Sequence, residues 1–141
     1  MDARSRFPIE PNVQTHFAWL RTRMSAERTL MSWVRTGAAL IGFGFTIVQF
    51  LERLKTMEGV APAMRPGAPR YLGLALIGAG ILGLIVASWE YRSFTGYLWS
   101  RQFESVAGVD NAPWHMPTLW SAVVLILIGI FAFGAVLLRF S

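Results

Sequence analysis

The chain has 141 residues and a formal net charge of +5, with 54% hydrophobic residues and only 15% charged. A soluble domain carries about a quarter charged residues, and one this short has too little interior to hide so much apolar surface; lipid is the expected solvent. Cysteine is absent, so disulfides, thiolate metal sites and a thiol nucleophile are excluded.

Residues 1–15, with Pro8 and Pro11, read as a flexible or interfacial tail. Its basic residues have no apolar core behind them, so it is not a cleavable signal. The first apolar run is expected to serve as signal and anchor together, and the mature chain to begin near Met1. From about His16 a helical pattern runs unbroken to Leu54, and no proline falls between Pro11 and Pro62. Within it Thr29–Leu51 is a 23-residue run whose only charge is Arg35. A bilayer core of about 30 Å takes ~20 helical residues, so residues 29–51 make a first span.

Residues 52–70 hold Gly59, Gly67 and three prolines, a loop composition. Tyr71–Trp89 is uncharged and makes the second span. Residues 90–107 are polar but free of proline, with aromatic residues at 91, 94, 97, 99 and 103. They read as helix two continuing past the membrane surface, or as an interfacial helix. Pro113 and Pro117 mark a break and a helix start. Leu119–Leu138 is the third span. The fold class expected is all-α, a polytopic bundle of three transmembrane helices with its membrane domain over residues 16–141.

Three spans put the termini on opposite sides. Trp33, Trp89, Trp114 and Trp120 then fall at one interface, the depth an indole ring prefers. Of the 13 basic residues all but Lys55 are arginine, set in the N-terminal segment and beside the apolar runs. That is membrane-flanking charge rather than a nucleic-acid patch. Arg4, Arg6, Arg21, Arg23, Arg28, Arg92 and Arg101 lie on the N-terminal side, against Arg53, Lys55, Arg65, Arg70 and Arg139. Without the distant Arg4 and Arg6 the two sides tie, so charge alone does not orient the chain.

Arg21, Arg28 and Arg35 recur every seven residues. A seven-residue step on an α-helix drifts by only ~20°, so the three guanidinium groups share one face. They form a ladder from the membrane surface into the apolar run. Two readings stay open: interfacial arginines that snorkel, or a charged face turned to a bundle interior that attracts anions. Glu27 lies four residues after Arg23, and an ion pair with Arg23 or across helices is expected to orient the ladder. On helix two Ala75, Ala79, Gly83 and Ala87 recur every four residues, a spacing that lets helices approach closely. Whether within one chain or between chains is left open. His16 and His115 lack ligand company, so neither a metal nor a cofactor is expected. No reactive constellation or nucleotide motif points to an enzyme.

At Ala26-Glu27-Arg28-Thr29, Trp33-Val34-Arg35-Thr36 and Gly42-Phe43-Gly44-Phe45 the chain resembles the YidH-like family of small bacterial inner-membrane proteins, a domain of unknown function. The match is specific over residues 20–50; the three-span plan extends it more loosely over 20–140. Met31-Ser32 stand where the family often has Leu-Ala. The same domain resembles the membrane portion of the eukaryotic vacuolar transporter chaperone complex, whose three-helix units ring a path lined by basic residues. The resemblance implies a cytoplasmic N-terminus and a homo-oligomeric ring, fivefold favoured, with Arg21 and Arg28 towards the axis. Two functions are expected to compete. One is an arginine-lined vestibule or channel for anions, phosphate-bearing species among them. The other is a scaffold or accessory subunit that binds membrane proteins or anionic lipid headgroups.

Overall fold

A computed structural model describes residues 10–55, 67–108 and 116–138. Four α-helices follow in order: α1 (Val13–Lys55), α2 (Ala68–Leu98), α3 (Glu104–Ala107) and α4 (Pro117–Leu138), with a 3₁₀ turn at Arg101–Phe103. Three of them, α1, α2 and α4, are long and apolar enough to cross a membrane. The spans expected at 29–51, 71–89 and 119–138 lie inside these three.

Helix α1 starts at Val13, three residues before the sequence pattern suggests. Asn12 explains the difference. Its Oδ1 accepts from the Thr15 backbone N–H at 2.8 Å, and Thr15 Oγ1 accepts from the Asn12 N–H at 3.0 Å. This reciprocal cap satisfies two donors that a helix start leaves open. Gly67, at φ 110°, leads into α2, and Pro69 stands in its first turn. Pro117 opens α4, where a missing N–H costs nothing.

One packing rule runs through the bundle. On α1 the buried positions Leu30, Gly37, Ile41, Gly44 and Val48 follow steps of three and four, with one double step from Leu30 to Gly37. So do Gly73, Ile77, Gly80, Leu84, Ala87 and Tyr91 on α2, and Thr118, Ala122, Gly129, Ala132 and Val136 on α4, with one double step. That alternation keeps a seam straight along two packed helices. The α1 and α2 seams meet antiparallel, Val48 on Gly73, Gly44 on Ile77, Ile41 on Gly80 and Gly37 on Leu84. A Cβ on Gly44 would lie 2.7 Å from the Gly73 carbonyl oxygen, and one on Gly80 would lie 3.0 Å from that of Gly37. Two glycine contacts, seven residues apart on each helix, thus bring the backbones together. Helix α4 leans on both, with Gly129 against Ile41 and Ile81.

The stripe Ala75, Ala79, Gly83 and Ala87 divides. Ala87 is buried and Gly83 half-buried against Trp33, whereas Ala75 and Ala79 are exposed. A strict four-residue step advances ~40° around the helix each time, so this stripe winds into the seam only at its end.

The interior forms three layers. Ile41, Val48, Ile77, Leu84, Ala122, Ala132 and Val136 fill the apolar length of the bundle. Leu30, Ala87 and Tyr91 lie above them, near the exposed Trp33 and Trp89. Beyond the apolar span Trp19, Leu98, Val106 and Ala107 make a separate cap. There α2 ends at Leu98, and the chain folds back through the 3₁₀ turn and α3 onto α1. The helical extension expected over 90–107 is therefore broken in the middle. Trp19 Nε1 donates to the Leu98 carbonyl at 3.0 Å, and His16 Nδ1 lies 2.7 Å from the Val106 carbonyl oxygen.

Candidate functional site

At 100° per residue Arg21, Arg28 and Arg35 fall within ~40° of one another on α1, pointing away from the seam that meets α2. All three are exposed. Among the described residues none has an ion-pair or hydrogen-bond partner. The same outward face continues through Ser32, Ala39, Gly42 and Thr46, all exposed. A Cβ added at Gly42 would meet nothing within 4 Å, so packing within the chain does not require glycine there.

The slow drift of the ladder divides it between two flanks. Arg28 and Arg35 line an open groove of about 670 Å³ between α1 and α4, with Ser32, Glu27, Thr118 and Ser121. Arg21 lines another of about 560 Å³ between α1 and α2. Both grooves lie towards the tryptophan end of the bundle. Of the four tryptophans expected to mark that interface, Trp33, Trp89 and Trp120 are exposed, and Trp114 lies outside the described residues.

The ion pair expected between Glu27 and Arg23 is not formed. Glu27 Oε1 accepts a hydrogen bond from Thr118 Oγ1 at 2.7 Å. Arg23 instead lies over two indoles, 5.9 Å from the Trp19 ring centre and 5.7 Å from that of Trp99. A guanidinium is weakly hydrated and stacks well on aromatic faces, whereas a half-buried carboxylate gains most from a hydroxyl aimed at it. The preference of each group separates the pair. Glu27 thus fastens the first turn of α4 to α1 directly beside Arg28. Sequence spacing does not reveal this contact, because Glu27 and Thr118 lie 91 positions apart. His16, too, finds its carbonyl partner on Val106 only through the fold-back of α3, and Trp19 finds that of Leu98 only where the end of α2 lies against α1.

Among the described residues no cluster of His, Cys, Asp or Glu could hold a metal ion. His16 belongs to the aromatic cap, and His115 lies outside the described residues.

Three long apolar helices with tryptophan at one end and charge flanking the apolar lengths define a multi-pass α-helical membrane protein. The family follows from residues 21–96, which match the model described as Domain of unknown function (DUF202). That is more than half of the chain, and the protein belongs to this family, in keeping with its resemblance to YidH-like proteins. The matched stretch holds the whole ladder and the α1–α2 seam. No curated protein and no solved structure matches the chain.

Proposed function

We propose that this protein is a homo-oligomer whose first helices turn their arginine faces to a shared path for anions. The observation that carries the reading is the outward face of α1. Elsewhere the exposed surface of the apolar helices includes bulky side chains such as Leu82, Val86, Leu127, Ile130 and Phe131, which suit contact with acyl chains. Along α1 the strip opposite the seam from Arg28 to Thr46 instead carries arginine, serine, alanine, glycine and threonine, with Phe17 and Phe50 beyond its ends and Met24, Met31 and Phe43 along its edges. An arginine inside a bilayer costs roughly 2.5–3.5 kcal/mol on insertion scales. Facing a wet axis between subunits would relieve most of that cost, and each arginine level would become a ring of charge.

In this reading Arg21 and Arg28 gather the anion at the membrane surface, and Arg35 is the innermost rung. Ala39, Gly42 and Thr46 line the narrow, uncharged length below it. Glu27, through Thr118, holds α4 beside Arg28. The work is electrostatic and calls for no reactive group. The membrane would be the bacterial inner membrane, with the N-terminus in the cytoplasm and a fivefold ring, as the resemblance implies.

Reconstitution in sealed liposomes tests it. Anion efflux is expected, and Arg28→Ala with Arg35→Ala should cut it about tenfold, the equivalent of ~1.4 kcal/mol of lost attraction. Unchanged efflux would remove the proposal. A second reading has its own support. Met24 and Met31 wall the groove of Arg28 and Arg35, which suits an anionic lipid headgroup held by a non-conducting scaffold. Liposomes that show no efflux, together with retention of acidic phospholipid that the same variants lose, would favour it.

A further inference from the structure

The groove between α1 and α2, on the flank of α1 away from α4, has a chemistry unlike that of the ladder. Leu30 and Tyr91 form its floor, and Trp33 and Phe94 stand at its sides. Tyr91 is only 7% exposed, yet its hydroxyl has no partner among the described residues. Glu90, which also lines the groove, is exposed and equally unpaired among them. Thr22 and Thr29 on the α1 wall donate their protons to the carbonyls of Ala18 and Ser25, at 2.9 and 3.1 Å. What these hydroxyls offer to the groove is lone pairs alone. Three aromatic rings, a carboxylate and the lone pairs of two hydroxyls whose protons are already engaged thus share one concave space with the hydroxyls of Ser25 and Tyr91, and Arg21 stands at its outer end.

Height matters as much as composition. The contact of Leu30 with Tyr91 sets Glu90 near the level of Trp33 and beside exposed Trp89, at the membrane surface. Arg21 lies nine residues beyond Leu30, ~13.5 Å further out along the helix axis. The negative end of the groove is thus the end that meets lipid. A phospholipid headgroup, whose phosphate is its innermost charge, would enter with the wrong polarity.

We infer that this groove binds a lipophilic organic cation, of the quaternary ammonium or phosphonium class. Its charged centre sits among the rings of Trp33, Tyr91 and Phe94 with Glu90 beside it, and its apolar body rests on the lipid side. A cation over an aromatic face is attracted by the ring quadrupole, most strongly where water is excluded. Arg21 carries the same sign as the ligand and opposes it from the outer end. The inference does not rest on the anion path, whose inner rungs Arg28 and Arg35 lie on the other flank of α1; the two share only Arg21.

Equilibrium dialysis of the full chain in a non-ionic detergent, with tetraphenylphosphonium as probe, tests the site. One saturable site per protomer is expected. Glu90→Gln should weaken it roughly tenfold, as loss of an opposite charge beside a bound cation does. Tyr91→Phe keeps the buried ring and should weaken it less. Arg21→Gln should tighten it, a change of sign that a merely structural role would not produce. Helical circular dichroism and elution volume confirm that each variant is folded. Binding that never saturates, equal uptake of uncharged triphenylphosphine oxide, or an affinity untouched by Glu90→Gln would overturn the inference. So would weaker binding in Arg21→Gln, which would mean that Arg21 shapes the groove rather than opposing the cation.

Discussion

Glu27 stands next to Arg28 and four residues from Arg23, yet its carboxylate turns to a hydroxyl on another helix. The consequence is a tie between α1 and α4 at a level where both carry polar groups. A hydrogen bond to a charged group contributes about 1.5–3 kcal/mol when its partner cannot be replaced by water. Thr118 is 5% exposed, so water cannot replace it freely. Thr118→Val keeps the shape and removes the donor; it should lower the thermal midpoint in detergent, whereas Thr118→Ser should restore most of the loss. Equal midpoints for all three would mean that Glu27 is solvated rather than bound. Arg23 makes the complementary point. Its charge is held by Trp19 and Trp99, so in the cap its role is packing rather than counter-charge.

At the scale of elements, glycine separates the seam of α1 from its outward face. Gly44→Ala would push a Cβ to 2.7 Å from a backbone oxygen of α2, whereas the same change at Gly42 meets open space. Overpacking of this kind costs typically 1–3 kcal/mol, while alanine for glycine on a free helix face gains up to ~1 kcal/mol. Gly44→Ala is therefore expected to lower the unfolding midpoint, and Gly42→Ala to leave it level or raise it. Equal losses at both positions would contradict the seam. These two glycines also mark how far the sequence could be read. Apolar length made the three spans legible, and a seven-residue step made the arginine face legible, because both are properties of a single helix. Which small residues touch is a property of two helices. Ala75 and Gly73 look alike in sequence, and only the alternation of three and four, fixed by the antiparallel partner, selects Gly73. The Thr118 contact and the fold-back of α3 were beyond reach for the same reason.

Across the whole molecule the helices are unequal. Helix α1 has 43 residues, α2 has 31 and α4 has 22. At 1.5 Å per residue these are ~65, ~46 and ~33 Å, against a hydrocarbon core of about 30 Å. Only α4 matches the membrane. The excess of α1 and α2 sits at one end, where Trp19, Leu98, Val106 and Ala107 close it with a core of its own. The molecule is therefore a membrane bundle with an aromatic-capped extension on a single side, and the arginine ladder runs from that extension to the bilayer. Because the chain has no cysteine, the arrangement can be tested by adding single thiols. Gln14 and Ser105 are exposed on the extension, and Ala68 is exposed at the start of α2. In sealed vesicles an impermeant maleimide should label Gln14→Cys and Ser105→Cys from the same side, and Ala68→Cys only from the other. Labelling of Gln14→Cys and Ser105→Cys from opposite sides would break the fold-back of α3 and, with it, the cap. Run in inside-out and right-side-out vesicles, the same experiment decides the orientation on which the arginine count is tied. A cytoplasmic extension would put the mouth of the proposed anion path, Arg21 and Arg28, on the side where the cell keeps its phosphorylated metabolites.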